Sequence, residues 1–172
     1  MRAGGVVSHA TEGVWGLACD PTNETAIKRI LTLKQRAPTR GLIIVAAEPE
    51  AVAARVAANA ADAWSRATAT WPGHTTWLLP AANHNGFYLT GGGDRIALRI
   101  TAHPLCRALA RASGGAIVST SANPAGRPAP VSSWRVRRYF GQRLDYILGG
   151  HCSHPGQPST IRDALSGTTA RP

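Results

Sequence analysis

Three polar segments of the sequence combine residues that could bind phosphate or carboxylate groups. Lys34, Arg36 and Arg40 place three positive charges close together at the predicted end of a helix. Residues 119–124 bring two serines, a threonine and an asparagine together, and residues 11–17 set a tryptophan between two glycines. Arginine can hold an anion through two parallel hydrogen bonds, and small hydroxyl groups with exposed backbone N–H groups can surround phosphate oxygens. Together the segments indicate a site for an anionic ligand, although each alone also fits ordinary structure: a turn, a solvated helix end and a capping segment.

The charge balance also points to an anionic partner. The 172 residues include 19 Lys and Arg against 9 Asp and Glu, a net charge of +10, and seventeen of the basic residues are arginines. A GC-rich genome would also favour arginine codons, so the sign of the charge is the firmer clue. A hydrophobic content of 44% excludes a disordered tail or linker. No apolar run reaches the ~18–20 residues of a membrane span and the start does not read as a signal peptide, so we expect no membrane contact.

The cysteines favour a reducing compartment. Cys19, Cys106 and Cys152 are odd in number and far apart, which argues against a disulfide framework or a thiolate zinc site. The segment 151–154, His-Cys-Ser-His, is the only cluster that resembles a metal site, and no second ligand pair has suitable spacing. We therefore expect a cytoplasmic protein that binds no metal through its own side chains.

Strand and helix patterns alternate along the chain, which predicts an α/β or mixed α+β fold around one twisted sheet, in a single domain over residues 1–172. We expect four helices. The first is capped by Asn23 and ended by Pro38, and the second runs from Pro49 to about residue 66. The third covers residues 104–112, and the fourth is capped by Ser133 and runs to residue 139. We expect strands over residues 5–10, 42–46, 77–79, 96–100, 116–119, 146–148 and 160–161. The three polar segments then follow the first strand, the first helix and the strand at 116–119.

Several common catalytic signatures are absent. The sequence has no Gly-x-x-x-x-Gly-Lys-Ser/Thr phosphate loop, no Gly-x-Gly-x-x-Gly after a strand and no Gly-x-Ser-x-Gly nucleophile elbow. A P-loop ATPase, a Rossmann dehydrogenase and an α/β-hydrolase therefore lack the motifs that define them.

Six blocks of the sequence, taken together and in order, resemble the threonylcarbamoyl-AMP synthase family, the YrdC-like domain. Each block alone is weak, but six in the family's order over nearly the whole chain form a specific signal. The blocks are residues 11–17, 33–36, 71–77, 96–104, 119–123 with 126–128, and 158–163. The resemblance implies one YrdC-like domain, with a twisted mixed sheet flanked by helices and an open concave active-site cavity.

The resemblance further implies a nucleotidyltransferase that joins L-threonine, bicarbonate (as CO2) and ATP into threonylcarbamoyl-adenylate, releasing pyrophosphate. Its product would serve the N6-threonylcarbamoylation of adenosine 37 in tRNA. In that reaction a carbamate formed on the threonine amine attacks the α-phosphorus of ATP, so two anions must meet. Fixed positive charge and hydrogen-bond donors are then needed more than a protein nucleophile.

The resemblance also assigns roles to ten residues and a metal ion. The expected catalytic residues are Lys34 and Arg36. Threonine is expected to contact Thr11, Arg99, Ser121 and Ser159, with Arg99 on its carboxylate. The nucleotide is expected to contact Arg36, Arg40, Ser119, Asn123 and Arg171. Mg²⁺ is expected to arrive with the triphosphate, held mainly by phosphate oxygens and water.

The chain departs from the family pattern in three places. Ala10 stands where the family usually has proline, and Gly13 where it often has threonine or serine, so we expect a looser threonine pocket. We expect the family's helix before the first strand to be missing here, because the first predicted strand begins near Met1. No C-terminal extension follows, which implies the short form that relies on separate proteins for threonylcarbamoyl transfer.

Two other functions are weighed against this one. A basic RNA-binding module without adenylating activity would use the net charge on double-stranded RNA or tRNA, but no RNA-recognition motif is visible. Its densest basic run, Arg135, Arg137 and Arg138 beside Trp134, more simply forms a solvated helix face. A carbamoyl-transfer protein of the hydrogenase-maturation type would normally carry extra domains. Weak RNA binding stays compatible with the enzyme.

Overall fold

A nine-stranded mixed sheet forms the centre of the computed structural model, which describes residues 1 and 3–171 and, at position 171, the backbone alone. The strands lie in the order β7-β1-β2-β6-β3-β5-β4-β8-β9. They are β1 (Val7–Ala10), β2 (Trp15–Cys19), β3 (Ile43–Ala46), β4 (Thr75–Pro80), β5 (Arg95–Ile100), β6 (Ala116–Ser121), β7 (Tyr146–Ile147), β8 (Thr160–Asp163) and β9 (Thr169–Arg171).

The sheet is mixed at its centre. β3 pairs in parallel with β5 and antiparallel with β6, while β4 pairs antiparallel with β5 and in parallel with β8. At the other side, β1 and β2 form an antiparallel hairpin that continues into β6. The predicted α/β fold with a twisted mixed sheet is therefore confirmed.

Five helices flank the sheet in the described residues: α1 (Glu24–Lys34), α2 (Ala61–Thr68), α3 (Phe87–Thr90), α4 (Pro104–Ala112) and α5 (Ser133–Phe140). Asn23 caps α1 as expected, because its side-chain oxygen accepts from the backbone N–H of Ala26 at 3.0 Å. Helix α4 has the predicted bounds, with Pro104 at its first position. None of the helices described has the length and apolar character needed to cross a membrane.

The predicted helix from Pro49 to residue 66 is wrong. The chain forms two short 3₁₀ turns, Pro49–Ala51 and Ala53–Arg55, and becomes α-helical only at α2. Between them the backbone is drawn into sheet-like pairing, since the N–H of Ala57 donates to the carbonyl of Pro80 at 3.0 Å and Val56 forms a bridge with Ala81. These long-range hydrogen bonds override the helix propensity of an alanine-rich segment.

The sequence pattern also missed three elements: β2, α3 and β9. β2 begins within the polar segment 11–17, for which no strand was predicted, yet all five of its residues are buried between β1 and β6. A short apolar run flanked by glycines is compatible with a loop or a strand, and only the two neighbouring strands decide between them.

The two faces of the sheet bury different sets of side chains, because side chains alternate along each strand. Leu17, Ile44 and Val118 belong to the larger core, whereas Ala18 and Val45 pack with α4 on the opposite face. Helix α4 contacts β1, β3 and β6 and so covers only part of that second face.

We expect Ile44→Ala to lower the free energy of unfolding by about 2–5 kcal/mol, because it leaves a cavity beneath a central strand. The Ile44 side chain is 0% exposed. Leu165→Ala is the matched control: Leu165 is 53% exposed, so its truncation should change the value by less than about 0.5 kcal/mol. Urea unfolding of both variants measures the difference, and equal effects would contradict this account of the core.

Candidate active site

A cavity of about 440 Å³ lies on the same sheet face as α4, over the part of that face that the helix leaves uncovered. Its floor is built from alternate residues of adjacent strands: Ile43 and Val45 of β3, Ala97 of β5, and Gly16 of β2. Seven of the ten predicted site residues line this one cavity: Thr11, Arg36, Arg40, Arg99, Ser119, Ser121 and Ser159. The strand alternation explains why Ser119 and Ser121 point to the same side.

The side chain of Arg99 forms a buried ion pair with Glu12. Arg99 is 6% exposed, and its Nη2 lies 3.3 Å from Oε2 of Glu12. The other carboxylate oxygen accepts hydrogen bonds from the hydroxyl of Thr101 at 2.7 Å and the N–H of Ala102 at 3.0 Å. Burial raises the pKa of Glu12, but the charge of Arg99 and these hydrogen bonds outweigh it and hold the pKa below its ordinary value. Glu12 is therefore a carboxylate that fixes Arg99 at the cavity wall.

Positive charge dominates the lining of the cavity. Arg36, Arg40 and Arg95 join Arg99 there, and none of the described lining residues is Asp or Glu. The Arg36 guanidinium donates from Nη2 to the carbonyls of Arg40 at 3.1 Å and Gly41 at 3.0 Å, which fixes it across the turn after α1. Such a surface attracts phosphate and carboxylate groups.

Lys34 lies behind the cavity wall and does not line the cavity. It is 5% exposed, and its Nζ donates to the carbonyls of Ser121 and, at 3.0 Å, Asn123. Burial and the nearby charge of Arg36 lower the pKa of Lys34 to about 7. These hydrogen bonds hold the end of β6 in place. A direct catalytic role for Lys34 stays a prediction.

Asn123 and Ser119 are both tied into local structure. The Asn123 amide donates to the carbonyl of Arg127 at 2.6 Å, which closes the loop after β6, and Asn123 does not line the cavity. The hydroxyl of Ser119 lies 3.3 Å from Nε2 of His9. Burial lowers the pKa of His9 to about 4, so the ring is neutral, donates from Nδ1 to the carbonyl of Ala10 and accepts from Ser119 at Nε2. The Ser119 oxygen thus presents its lone pairs to the cavity.

The segment 154–157 packs directly on Gly13. The N–H of His154 donates to the carbonyl of Glu12 at 2.6 Å, and the N–H of Gly156 donates to that of Gly13 at 2.9 Å. A Cβ atom at position 13 would lie 1.6 Å from the carbonyl oxygen of Gln157. The expected looser pocket is therefore wrong at this position, because backbone occupies the space that a threonine or serine side chain would need.

Of the remaining site residues, Thr11 and Ser159 line the cavity and have hydrogen-bond partners, whereas the side chain of Arg171 is not described. Thr11 donates its hydroxyl to the carbonyl of Val14 at 2.7 Å, and Ser159 Oγ lies 3.0 Å from Thr76 Oγ1. Arg171 lies outside the described residues as a side chain; its backbone pairs with Ile161 in the last strand. Sequence reasoning missed Glu12, His9 and Arg95 as parts of the site. Arg95 could have been found, since it shares a strand face with Arg99 four residues away.

The comparisons with known proteins cover the whole chain. The Sua5/YciO/YrdC family model, described as telomere recombination, matches residues 1–171. Curated proteins named threonylcarbamoyl-AMP synthase from Halorhodospira halophila and Nitrosococcus oceani are 46% and 47% identical; each alignment covers 99% of this chain, and 90% and 92% of the respective relatives.

Among solved structures, Sua5 of P. abyssi complexed with L-threonine superposes with a TM-score of 0.87 at 33% identity. That alignment covers 94% of this chain and 48% of the P. abyssi chain, so the chain spans about half of the length of that protein. YciO of E. coli, at 21% identity and a TM-score of 0.81, shares the fold. The chain therefore belongs to the Sua5/YciO/YrdC family, as its six sequence blocks predicted.

Proposed function

We propose that this chain is a threonylcarbamoyl-AMP synthase, which forms threonylcarbamoyl-AMP and pyrophosphate from L-threonine, bicarbonate (as CO2) and ATP. The observation that carries the proposal is the clustering of seven predicted substrate-binding residues in one arginine-lined cavity. Full-length similarity to curated synthases supports it. The product would supply the N6-threonylcarbamoylation of adenosine 37 in tRNA.

The first step joins CO2 to the amino acid. The Arg99 guanidinium, fixed by Glu12, pairs with the threonine carboxylate, and Thr11 and Ser159 border the same part of the cavity. The threonine nitrogen attacks the carbon of CO2, so that an N–C bond forms while one C–O π bond opens to an oxygen anion. The nitrogen then loses a proton to solvent, which gives the carbamate. The protein contributes position and charge, because an oriented pair of reactants avoids most of the entropic cost of meeting.

The second step joins the carbamate to the nucleotide. A carbamate oxygen attacks the α-phosphorus of ATP, the bond from that phosphorus to the bridging oxygen breaks, and pyrophosphate leaves. Arg36 and Arg40 neutralise the phosphate charge that would otherwise repel the carbamate. In this arrangement Ser121 lies between the two substrates and Ser119 borders the nucleotide. Asn123 holds the loop after β6, and Lys34 holds the end of β6. A role for the Arg171 side chain, which lies outside the described residues, stays an expectation.

Mg²⁺ enters as part of the MgATP substrate in this proposal. The described lining residues offer no carboxylate, and no group of three or more His, Cys, Asp or Glu residues among those described could hold a metal ion. Phosphate oxygens and water would therefore hold the ion.

The proposal also includes partners other than the three substrates. Separate transfer proteins would carry the threonylcarbamoyl group to tRNA in the cytoplasm, and weak RNA binding stays a prediction. The names of the curated relatives favour the enzyme over an RNA-binding module without adenylating activity.

The proposed function is tested by measuring pyrophosphate release with L-threonine, bicarbonate or ATP omitted in turn. Release should require all three. Pyrophosphate release at the same rate with and without L-threonine would refute the proposal.

Arg36→Ala should lower kcat/KM for ATP at least tenfold, a loss of about 1.4 kcal/mol or more in transition-state stabilisation. The matched control is Arg135→Ala, which removes an exposed arginine from α5 and should leave turnover unchanged. Near-wild-type activity of the Arg36 variant would refute its assignment to the phosphates.

Glu12→Gln should destabilise the protein at pH 7 by about 3 kcal/mol, because it leaves the buried charge of Arg99 without its partner. The folded-state pKa of Glu12 is lowered, so its contribution is present above the ordinary value near 4.3 and is lost as the pH falls through the folded value. Urea unfolding across pH should show the wild-type advantage shrink below about pH 4. An advantage that does not change with pH would contradict the ion-pair account.

Gly13→Ala should raise the KM for L-threonine at least tenfold and lower Tm, since the new Cβ atom collides with the carbonyl of Gln157. Gly149→Ala is the control, because a Cβ there meets nothing within 4 Å. Steady-state kinetics and thermal unfolding of the two variants give the comparison. Equal behaviour would show that segment 154–157 does not pack on Gly13 in solution.

A further inference from the structure

We propose that His74 selects the substrate by hydrogen-bonding the side-chain hydroxyl of L-threonine through its ring Nε2. This inference rests on the proposed function and names the residue that recognises the amino-acid side chain.

The backbone on both sides of His74 is fixed. The N–H of Gly73 donates to the carbonyl of Ile100 at 2.8 Å, and the indole N–H of Trp71 donates to the carbonyl of Thr75 at 2.9 Å. His74 directly precedes β4, whose Thr75 pairs with Thr160 of β8. The ring is therefore held at a defined position at the edge of the cavity, which it lines.

The ring nitrogen Nε2 of His74 is buried and has no hydrogen-bond partner among the described residues. A buried polar atom without a partner typically costs about 1–3 kcal/mol, so such atoms call for an explanation. A ligand in the cavity would supply the missing partner. A hydroxyl group suits this nitrogen whichever tautomer the ring adopts, because a hydroxyl both donates and accepts.

The neighbours of His74 place it beside the amino-acid side chain. A Cβ atom at Gly13 would lie 3.2 Å from Cε1 of His74, so the ring lies against the turn that carries Glu12. His74 and Ser159 directly precede the paired residues Thr75 and Thr160 of β4 and β8, and Ser159 also lines the cavity.

Arg99 holds the substrate carboxylate in the proposed reaction, and the amine must face the phosphates near Arg36. The substrate side chain then points to the remaining wall, where Pro158 and Ile161 offer an apolar surface for its methyl group. On that wall the Ser159 hydroxyl already has Thr76 as a neighbour at 3.0 Å, whereas Nε2 of His74 is unused within the described chain.

The test compares L-threonine with L-valine, in which a methyl group replaces the hydroxyl. A site built around a hydroxyl rejects the analogue that lacks it. In the pyrophosphate-release assay, His74→Leu should lower the ratio of kcat/KM for L-threonine to that for L-valine at least tenfold. His74→Gln, whose amide reaches near the position of Nε2, should keep most of the selectivity. His84→Leu, at an exposed position, should leave the ratio unchanged.

A direct binding measurement separates this proposal from the proposed function. Calorimetric titration with L-threonine or L-valine, without ATP, reports selectivity even if the protein releases no pyrophosphate. Loss of selectivity in His74→Leu with an unchanged Tm supports the proposal. An unchanged ratio, a parallel fall for both amino acids, or a wild-type protein that does not prefer L-threonine in either assay overturns it.

Discussion

The ion pair between Glu12 and Arg99 is the interaction on which the candidate site depends. It joins the turn after β1 to β5, and in the sheet order three strands separate these two elements. Because the pair is buried, removing either partner would leave an uncompensated charge in the interior. The hydroxyl of Thr101 and the N–H of Ala102 both donate to Oε1 of Glu12 and tie the carboxylate to the chain just after β5. The pair thus fixes both the Arg99 guanidinium and the turn on which segment 154–157 packs.

The net charge of +10 has two separate explanations once the side chains are placed. Four arginines line one cavity whose described lining has no carboxylate, although Arg95 pairs with Asp94 and Asp163, and Arg99 with Glu12, just outside that lining. Others are balanced at the surface: Arg107 and Arg111 both pair with Glu48, and Arg29 pairs with Asp145. The nucleotide of the proposed reaction would account for the part of the charge that lines the cavity.

The sequence predicts elements that depend on contacts between residues close in the chain, and it fails for elements that depend on contacts between distant segments. The cap at Asn23 and helix α4 follow from local hydrogen bonding and from proline at the first helical position, so both were predicted correctly. Segment 49–66 and β2 are decided by pairing with distant strands, which composition does not encode. The same holds for the candidate site. Its arginine and serine residues predicted an anion-binding site from the sequence alone. The burial of Lys34 beneath the carbonyls of Ser121 and Asn123, however, depends on a contact between distant segments.

The geometry of the Glu12–Arg99 pair is compatible with the substrate-binding role proposed for Arg99. At 3.3 Å with one guanidinium nitrogen, the pair is an electrostatic contact and not a bidentate hydrogen-bonded fork. No described residue accepts a hydrogen bond from the Arg99 side chain, and its Nε is buried without a partner. Glu12 therefore supplies the compensating charge while the donors stay available. In the proposed reaction the threonine carboxylate would form the short hydrogen bonds that Glu12 does not make. The cost of burying Arg99 is then offset before the ligand arrives, and binding would need no rearrangement of the strand.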